Sequence, residues 1–268
     1  MLVFARKPAP VQLTMLGLPS TTGLDSIDYR LTDPWFDPPG SGDDDYSEQS
    51  IRLPRTCWCY QPPEDAPAAA PLPSLKTGFI TFGCLNQFAK ASPAALQCWV
   101  RILQAVPASR LVLHAPLGSH RDLVRALFAA AGVAAERVAF DGKVPLRDYL
   151  VRYRDFDLCL DPWPYSGGVT TMDALWMGVP VITLAGRTGV GRSGVSILSN
   201  VGLAELIAQT PEQYVARAVA LAGDRDRLAE LRGGLRHRMQ TSPLLDGPQY
   251  AADVEAAFRL AWRSWCCP

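Results

Sequence analysis

The chain has 268 residues, 48% of them hydrophobic, with 26 Lys and Arg against 26 Asp and Glu. This balance lacks the electrostatic footprint of a nucleic-acid or anionic-membrane binder, while the apolar content suffices for the core of one large or two small globular domains. No apolar run approaches the length of a membrane span, and the opening MLVFARKPAPVQL, broken by charge and two prolines, is not a signal peptide.

The seven cysteines (Cys57, Cys59, Cys84, Cys98, Cys159, Cys266, Cys267) are odd in number and form no C-x-x-C pair. That pattern predicts reduced thiols in a cytoplasmic protein. His114, His120 and His237 are not spaced for chelation with a cysteine, so no metal is expected.

Over residues 1–60 the sequence predicts three short strands, at 11–16, 27–31 and 51–53, with a loop at 38–48 (PPGSGDDDYSE). Residues 61–75, QPPEDAPAAAPLPSL, read as a linker or extended connection. From residue 76 strands and helices alternate. Strands are predicted at 79–82, 111–113, 138–140, 157–160 and 181–184. Helices are predicted at 92–105, with Ser92 as N-cap and Pro93 at the first helical position, and at 121–131, 146–153, 170–177 and 194–200. Three further helices, 211–222, 225–238 and 249–265, close the chain. Alternation of this kind predicts an α/β fold with a doubly wound parallel sheet.

The most informative stretch is 157–180, DLCLDPWPYSGGVTTMDALWMGVP. It reads as a buried strand, the turn Ser166-Gly167-Gly168, and a helix start at Thr170 and Thr171 with Asp173 in the first turn. A helix start offers unpaired N–H groups and a positive dipole end, which suit a phosphate. A turn capped by Thr170 fits the same residues. In open parallel sheets ligands bind at the carboxyl ends of the strands. That rule brings four loops to one rim, carrying Asn86, Gln87 and Lys90; Gly142, Lys143 and Val144; the glycine turn; and Gly186, Arg187 and Arg192. On that rim Lys90 is a candidate phosphate partner. Asn86 and Gln87 are candidate base or sugar contacts, or turn caps. Asp173 is a candidate ribose ligand, or a charge complementing the helix dipole. Arg152, Arg187 and Arg192 are ambiguous with solvated arginines. The three histidines suggest no triad or general-base dyad.

Four segments carry a family resemblance: 8–33 (PAPVQLTMLGLPSTTGLDSIDYRLTD), 82–93 (FGCLNQFAKASP), 157–186 and 242–262 (SPLLDGPQYAADVEAAFRLAW). In order and over nearly the whole chain, they resemble the catalytic region of the O-GlcNAc transferase family. The resemblance implies a GT-B glycosyltransferase, often preceded by tetratricopeptide repeats. Such an enzyme moves N-acetylglucosamine from UDP-GlcNAc to protein Ser or Thr hydroxyls, with inversion and with no obligatory metal or cofactor. By resemblance Lys90 neutralises the UDP phosphates, and Gln87 is a nucleotide-site amide. Gly168, Val169 and Thr170 hold the phosphates and Asp173 binds ribose. Val144 contacts the uracil through its backbone, Arg152 belongs to the nucleotide site, and Gly17 and Pro19 face the sugar.

The chain departs from the family pattern at Val169, where a threonine is expected, and at Tyr149, which stands for a histidine. Leu146, Arg187 and Gly189 differ as well. The resemblance implies a partial N-terminal lobe and linker at 1–75 and a nucleotide-sugar-binding Rossmann-like lobe with C-terminal helices at 76–268. The chain alone is then expected to be weak in catalysis. Expected partners are a nucleotide sugar, a protein or peptide acceptor and a chain supplying the rest of the first lobe. Two other readings stay open: a nucleotide-binding regulatory fragment without turnover, and a relative that transfers fucose from GDP-fucose.

Overall fold

The computed structural model describes residues 2–17 and 19–267. After a short helix α1 (Leu2–Ala5), the first part of the chain forms a parallel three-stranded sheet of β1 (Leu13–Met15), β2 (Tyr29–Thr32) and β3 (Gln49–Arg52), in that spatial order. Leu31, Phe36, Leu53 and Cys57 form its small core. Residues 61–75 then run mostly without regular structure into α2 (Ser74–Thr77), pinned on the way by arginines of the later chain. Arg236 donates to the carbonyl of Pro67, Arg154 to that of Ala68 and Arg232 to that of Ala70.

The second sheet has six parallel strands: β4 (Ile80–Cys84), β5 (Ser109–His114), β6 (Val138–Asp141), β7 (Leu158–Leu160), β8 (Val181–Leu184) and β9 (Ile207–Ala208). Helices α3 (Pro93–Ala105), α4 (His120–Ala130), α5 (Leu146–Arg152), α6 (Val169–Trp176) and α7 (Ser193–Asn200) alternate with these strands. The helices α8 (Pro211–Gly223), α9 (Arg225–Gln240) and α10 (Gly247–Cys266) follow. Each predicted strand and helix of this half is present within a few residues. Ser92 caps α3 by accepting the N–H of Ala95 at 3.2 Å, with Pro93 in the first turn. Gly132, at φ +77°, turns the chain after α4.

Strand order is β6-β5-β4-β7-β8-β9. The sequence runs outward one way from β4 and then the other way from β7, so the order reverses between these two central strands. In a doubly wound sheet the crevice at that reversal, beyond the strand carboxyl ends, is where ligands bind. Both strands are buried on each face, by Trp99, Ile102 and Leu103 of α3 among others. The buried Trp99 indole donates to the Tyr214 hydroxyl on α8 at 3.1 Å, and that hydroxyl donates to the carbonyl of Asp161 at 2.9 Å. The end of β7 is thereby fixed from below.

The two sheets meet beside this crevice. Asp33, just after β2, accepts the Ser196 hydroxyl of α7 at 2.6 Å and the Cys57 N–H at 2.9 Å. Arg192 donates to the carbonyl of Trp35 at 3.1 Å. Helix α10 returns to the small sheet, where Arg55 meets Asp253 at 3.2 Å and Ala257 joins the small core.

Candidate functional site

The loop after β7 folds back as Ser166-Gly167-Gly168 and leads straight into α6. Thr171 and Met172 donate their N–H groups to the carbonyl of Gly168. The Gly167 N–H is taken by Asp161 at 2.7 Å. The next three N–H groups, of Gly168, Val169 and Thr170, have no acceptor among the described residues. They lie at the positive end of α6, on the wall of a cleft of about 540 Å³. Gly168, not Thr170, is the N-cap, and no side chain caps the helix. The Thr170 hydroxyl instead crosses the crevice to donate to Asn86 Oδ1 at 2.8 Å. With α6 beginning at Val169, Asp173 falls just past the first turn rather than inside it.

The loop after β4 supplies the opposite wall. Lys90 is half-buried, and its Nζ donates to the carbonyl of Ser166 at 3.1 Å while lying 3.9 Å from the centre of the Tyr165 ring. Its ammonium therefore sits beside the free N–H groups. Burial pulls its pKa down, and the charge of Asp161 opposes that shift. A bridge between Ala91 and Pro164 ties the two loops together. Asn86 is buried and Gln87 exposed; Gln87 makes no cap bond to the turn that follows it. Gln87, Lys90, Gly168, Val169, Thr170 and Pro19 all line this one cleft.

A second hollow of about 290 Å³ opens at the end of β6, walled by Leu85, Asp141, Val144, Leu146, Tyr149 and Arg152. Gln87 and Ala89 of the first cleft and His114 and Lys143 of the second line an intervening hollow, which makes the groove continuous. Arg152 pairs with Asp141 at 2.8 Å. Asp173 stands behind this groove, buried, with Oδ1 accepting the Tyr60 hydroxyl at 2.7 Å and Oδ2 the Tyr149 hydroxyl at 3.0 Å. Burial raises its pKa, and the two hydroxyls pull it back only in part. The Tyr149 hydroxyl, in turn, lies 2.7 Å from that of Tyr153.

The rim is narrower than the four-loop expectation. Arg187 and Arg192 line a separate hollow with Ser41, Gly42 and Asp45, because Arg192 is drawn to the carbonyls of Trp35 and Gly186. From that loop only Ser193 reaches the main cleft. Gly17 is exposed and does not line the cleft, whereas Leu16 and Pro19 beside it do; Leu18, in the same loop, lies outside the described residues. His114 and His120, distant from the glycine turn in sequence, share the intervening hollow.

Sequence reasoning missed Trp58, Tyr165 and Ser193 as lining residues, and Asp161 beneath them. Trp58 gives no local signal, since its place follows from how the small sheet meets α6. Its ring presses on Gly168, where a Cβ would come within 2.7 Å of Cη2. Asp161 had a signal: it is the first residue after β7, at the carboxyl end of a central strand.

Residues 71–254 match the family described as glycosyl transferase family 41. The chain belongs to glycosyl transferase family 41. Among family relatives, the probable UDP-N-acetylglucosamine--peptide N-acetylglucosaminyltransferase SPINDLY of Petunia hybrida is 42% identical over 271 residues, covering 98% of this chain and 29% of its own. The corresponding SEC protein of Arabidopsis thaliana is 32% identical, covering 98% of this chain and 28% of its own. A solved variant of the Thermobaculum terrenum O-GlcNAc transferase superposes with a TM-score of 0.92 at 39% identity, over 98% of this chain and 50% of that one. The chain thus spans less than a third of these curated family relatives. Sucrose-phosphate synthase of Thermosynechococcus elongatus shares the fold, with a TM-score of 0.58 at 17% identity over 89% of this chain and 59% of that one. The α/β, GT-B-type architecture and the family inferred from sequence are those observed. No helix among the described residues is long and apolar enough to cross a membrane.

Proposed function

We propose that this chain forms the donor-binding side of a protein O-GlcNAc transferase. The observation that carries the reading is the row of three unpaired N–H groups at Gly168, Val169 and Thr170 with the Lys90 ammonium beside it. The diphosphate of UDP-GlcNAc rests there. The sugar points toward Pro19 and Trp58, and the base reaches along the groove to Val144 and Arg152, with Gln87 between. Asp173 meets the ribose hydroxyls by exchanging one of its tyrosine partners for them. Gly17 acts through the turn that presents Leu16 and Pro19.

In the transfer, the oxygen of an acceptor Ser or Thr bonds to the anomeric carbon with inversion, as the bond from that carbon to the phosphate oxygen breaks and the hydroxyl proton passes to the departing phosphate or to water. The departing UDP gains negative charge, which Lys90 and the helix-start amides stabilise without a metal or other cofactor. Val169 contributes its N–H but no hydroxyl, so the phosphate holds one contact fewer than a threonine would give. In this reading residues 1–75 belong to a first lobe and 76–268 to the donor lobe. The polypeptide binds nucleotide but turns over weakly unless further chain completes the acceptor side. The seven free cysteines, four of them buried, support a cytoplasmic setting.

Calorimetry with UDP, followed by a transfer assay with UDP-GlcNAc and a peptide acceptor, tests the proposal. UDP binding is expected. Absence of binding would remove the donor reading, and binding with no turnover even in the presence of the completing lobe would favour a regulatory fragment. One observation supports a GDP-fucose relative. Asp141 faces the base hollow, and its Oδ2 has no partner among the described residues. A carboxylate suits the two donors on the guanine edge better than the carbonyls of uracil. Tighter binding of GDP than of UDP in the same calorimetry would select that donor.

A further inference from the structure

Asp161 lies directly under the glycine turn and is 1% exposed. Its Oδ1 accepts the Gly167 N–H at 2.7 Å, and its Oδ2 accepts the Thr183 hydroxyl, from β8, at 2.7 Å. Two glycines close on it. A Cβ on Gly167 would come 2.9 Å from Oδ1, and one on Gly194 of α7 2.9 Å from Oδ2. The turn that leads into α6 and the first turn of α7 are therefore both seated on this one carboxylate. By taking the Gly167 N–H, Asp161 decides which amide points inward, and the following three, on the cleft wall, have no acceptor among the described residues.

The charged and titratable groups that face Asp161 are few. Lys90 reaches it from the turn after β4, and Cys84 from β4 itself; Cys159 lies two residues earlier on its own strand, and Tyr214 comes from α8. Burial pushes Cys84 up to about 12 and holds Cys159 and Tyr214 well above their ordinary values, so these stay neutral near pH 7. Burial also pushes Asp161 up to about 7, against the bonds from Thr183 and Gly167 and the charge of Lys90. An anion placed on the turn above adds a like charge, which favours the neutral acid further.

We propose that Asp161 is a positioning residue for the anion cradle and takes up a proton from solvent when a nucleoside diphosphate occupies it. As the neutral acid it keeps the Gly167 bond through its carbonyl oxygen, while its new O–H donates to the Thr183 oxygen. The proton coupling rests on the donor-site reading above; the positioning role does not.

The test uses the full 268-residue chain with Asp161→Asn and Asp161→Ala. Without ligand, the Gly167 amide resonance should titrate near pH 7 in the wild type and stay flat in Asp161→Asn. With UDP at pH 7, calorimetry in Pipes and in Tris buffer should report about half a proton more taken up by the wild type than by Asp161→Asn. Asp161→Ala should bind UDP about tenfold more weakly. A Gly167 resonance that does not titrate in the wild type overturns the positioning role. An equal proton count in the wild type and Asp161→Asn overturns the coupling. If the wild type binds no UDP, the donor reading and the coupling fall together, and the Gly167 titration still decides the positioning. If Asp161→Ala does not fold, the Asn variant and the resonance carry the test.

Discussion

Gly168→Ala is expected to damage both the fold and the proposed nucleotide site, through a single contact. A Cβ at Gly168 would lie 2.7 Å from Cη2 of Trp58, 3.1 Å from Cζ3 and 3.7 Å from Cζ2. The first distance is more than half an ångström inside ordinary carbon–carbon contact. The indole has little freedom to move, because Phe36 packs against it at 6.2 Å between ring centres and its backbone N–H is held by Thr56. Overpacking of this kind costs about 1–3 kcal/mol. If the turn gives way instead of the ring, the amides of residues 168–170 lose their common direction, and UDP affinity falls by about tenfold or more. Urea unfolding followed by circular dichroism measures the first effect, and calorimetry with UDP the second. Trp58→Leu removes the opposing ring edge, and with it an indole N–H that is buried without a partner. The double variant should therefore be less destabilised than the two single variants together, by about 1–3 kcal/mol. A Gly168→Ala protein within about 0.5 kcal/mol of the wild type, with unchanged affinity, would refute the reasoning. So would a strictly additive double-mutant cycle.

Lys90→Met should weaken UDP binding by about ten- to a hundredfold, the worth of a charge-assisted contact of about 1.5–3 kcal/mol, and the loss should be larger at low salt; a change under about threefold at low salt would show that the ammonium does not meet the phosphates. Stability should depend on pH through Asp161. Its pKa is raised from 3.8 in the unfolded chain to about 7 in the fold, so the folded state holds the extra proton between those values. The contribution of Asp161 is thus greatest below about pH 4, falls as pH rises to about 7 and then levels, over a span of order 4 kcal/mol. Buried Asp173 shifts in the same direction and adds to the trend. Urea midpoints at several pH values should slope less in Asp161→Asn, and identical slopes would sink this account. Tyr60→Phe removes one of the two hydroxyls on Asp173 and should lower stability by about 1–3 kcal/mol at neutral pH, with thermal unfolding as the measure; no change in melting temperature would mean that the bond is replaced by water.

Most of the larger fold was legible because its determinants are local. Apolar strand runs, Ser92 with Pro93 before α3, and Gly132 after α4 each act within a few residues of where they stand. What escaped was short or non-local. β9 has two residues, too few for any periodicity. The cap at Gly168 escaped because Thr170 has the right chemistry for a cap, yet its hydroxyl is claimed by Asn86, 84 positions away. Arg187 and Arg192 were placed on the rim by topology alone. The neighbouring small sheet then drew Arg192 to Trp35, which no pattern in the loop itself foretells.

The sequence by itself determined the family, the alternation of strands and helices, and the residues proposed to meet a diphosphate, because motif order and side-chain chemistry are properties of the chain. The tertiary structure alone decided the strand order that opens a crevice between β4 and β7. It also decided the closure of Trp58 on Gly168, the tyrosines on Asp173 and the burial of Asp161 under the turn. Those are contacts between segments far apart in sequence, and their energies arise from exclusion of water and close approach, which exist only once the chain has folded.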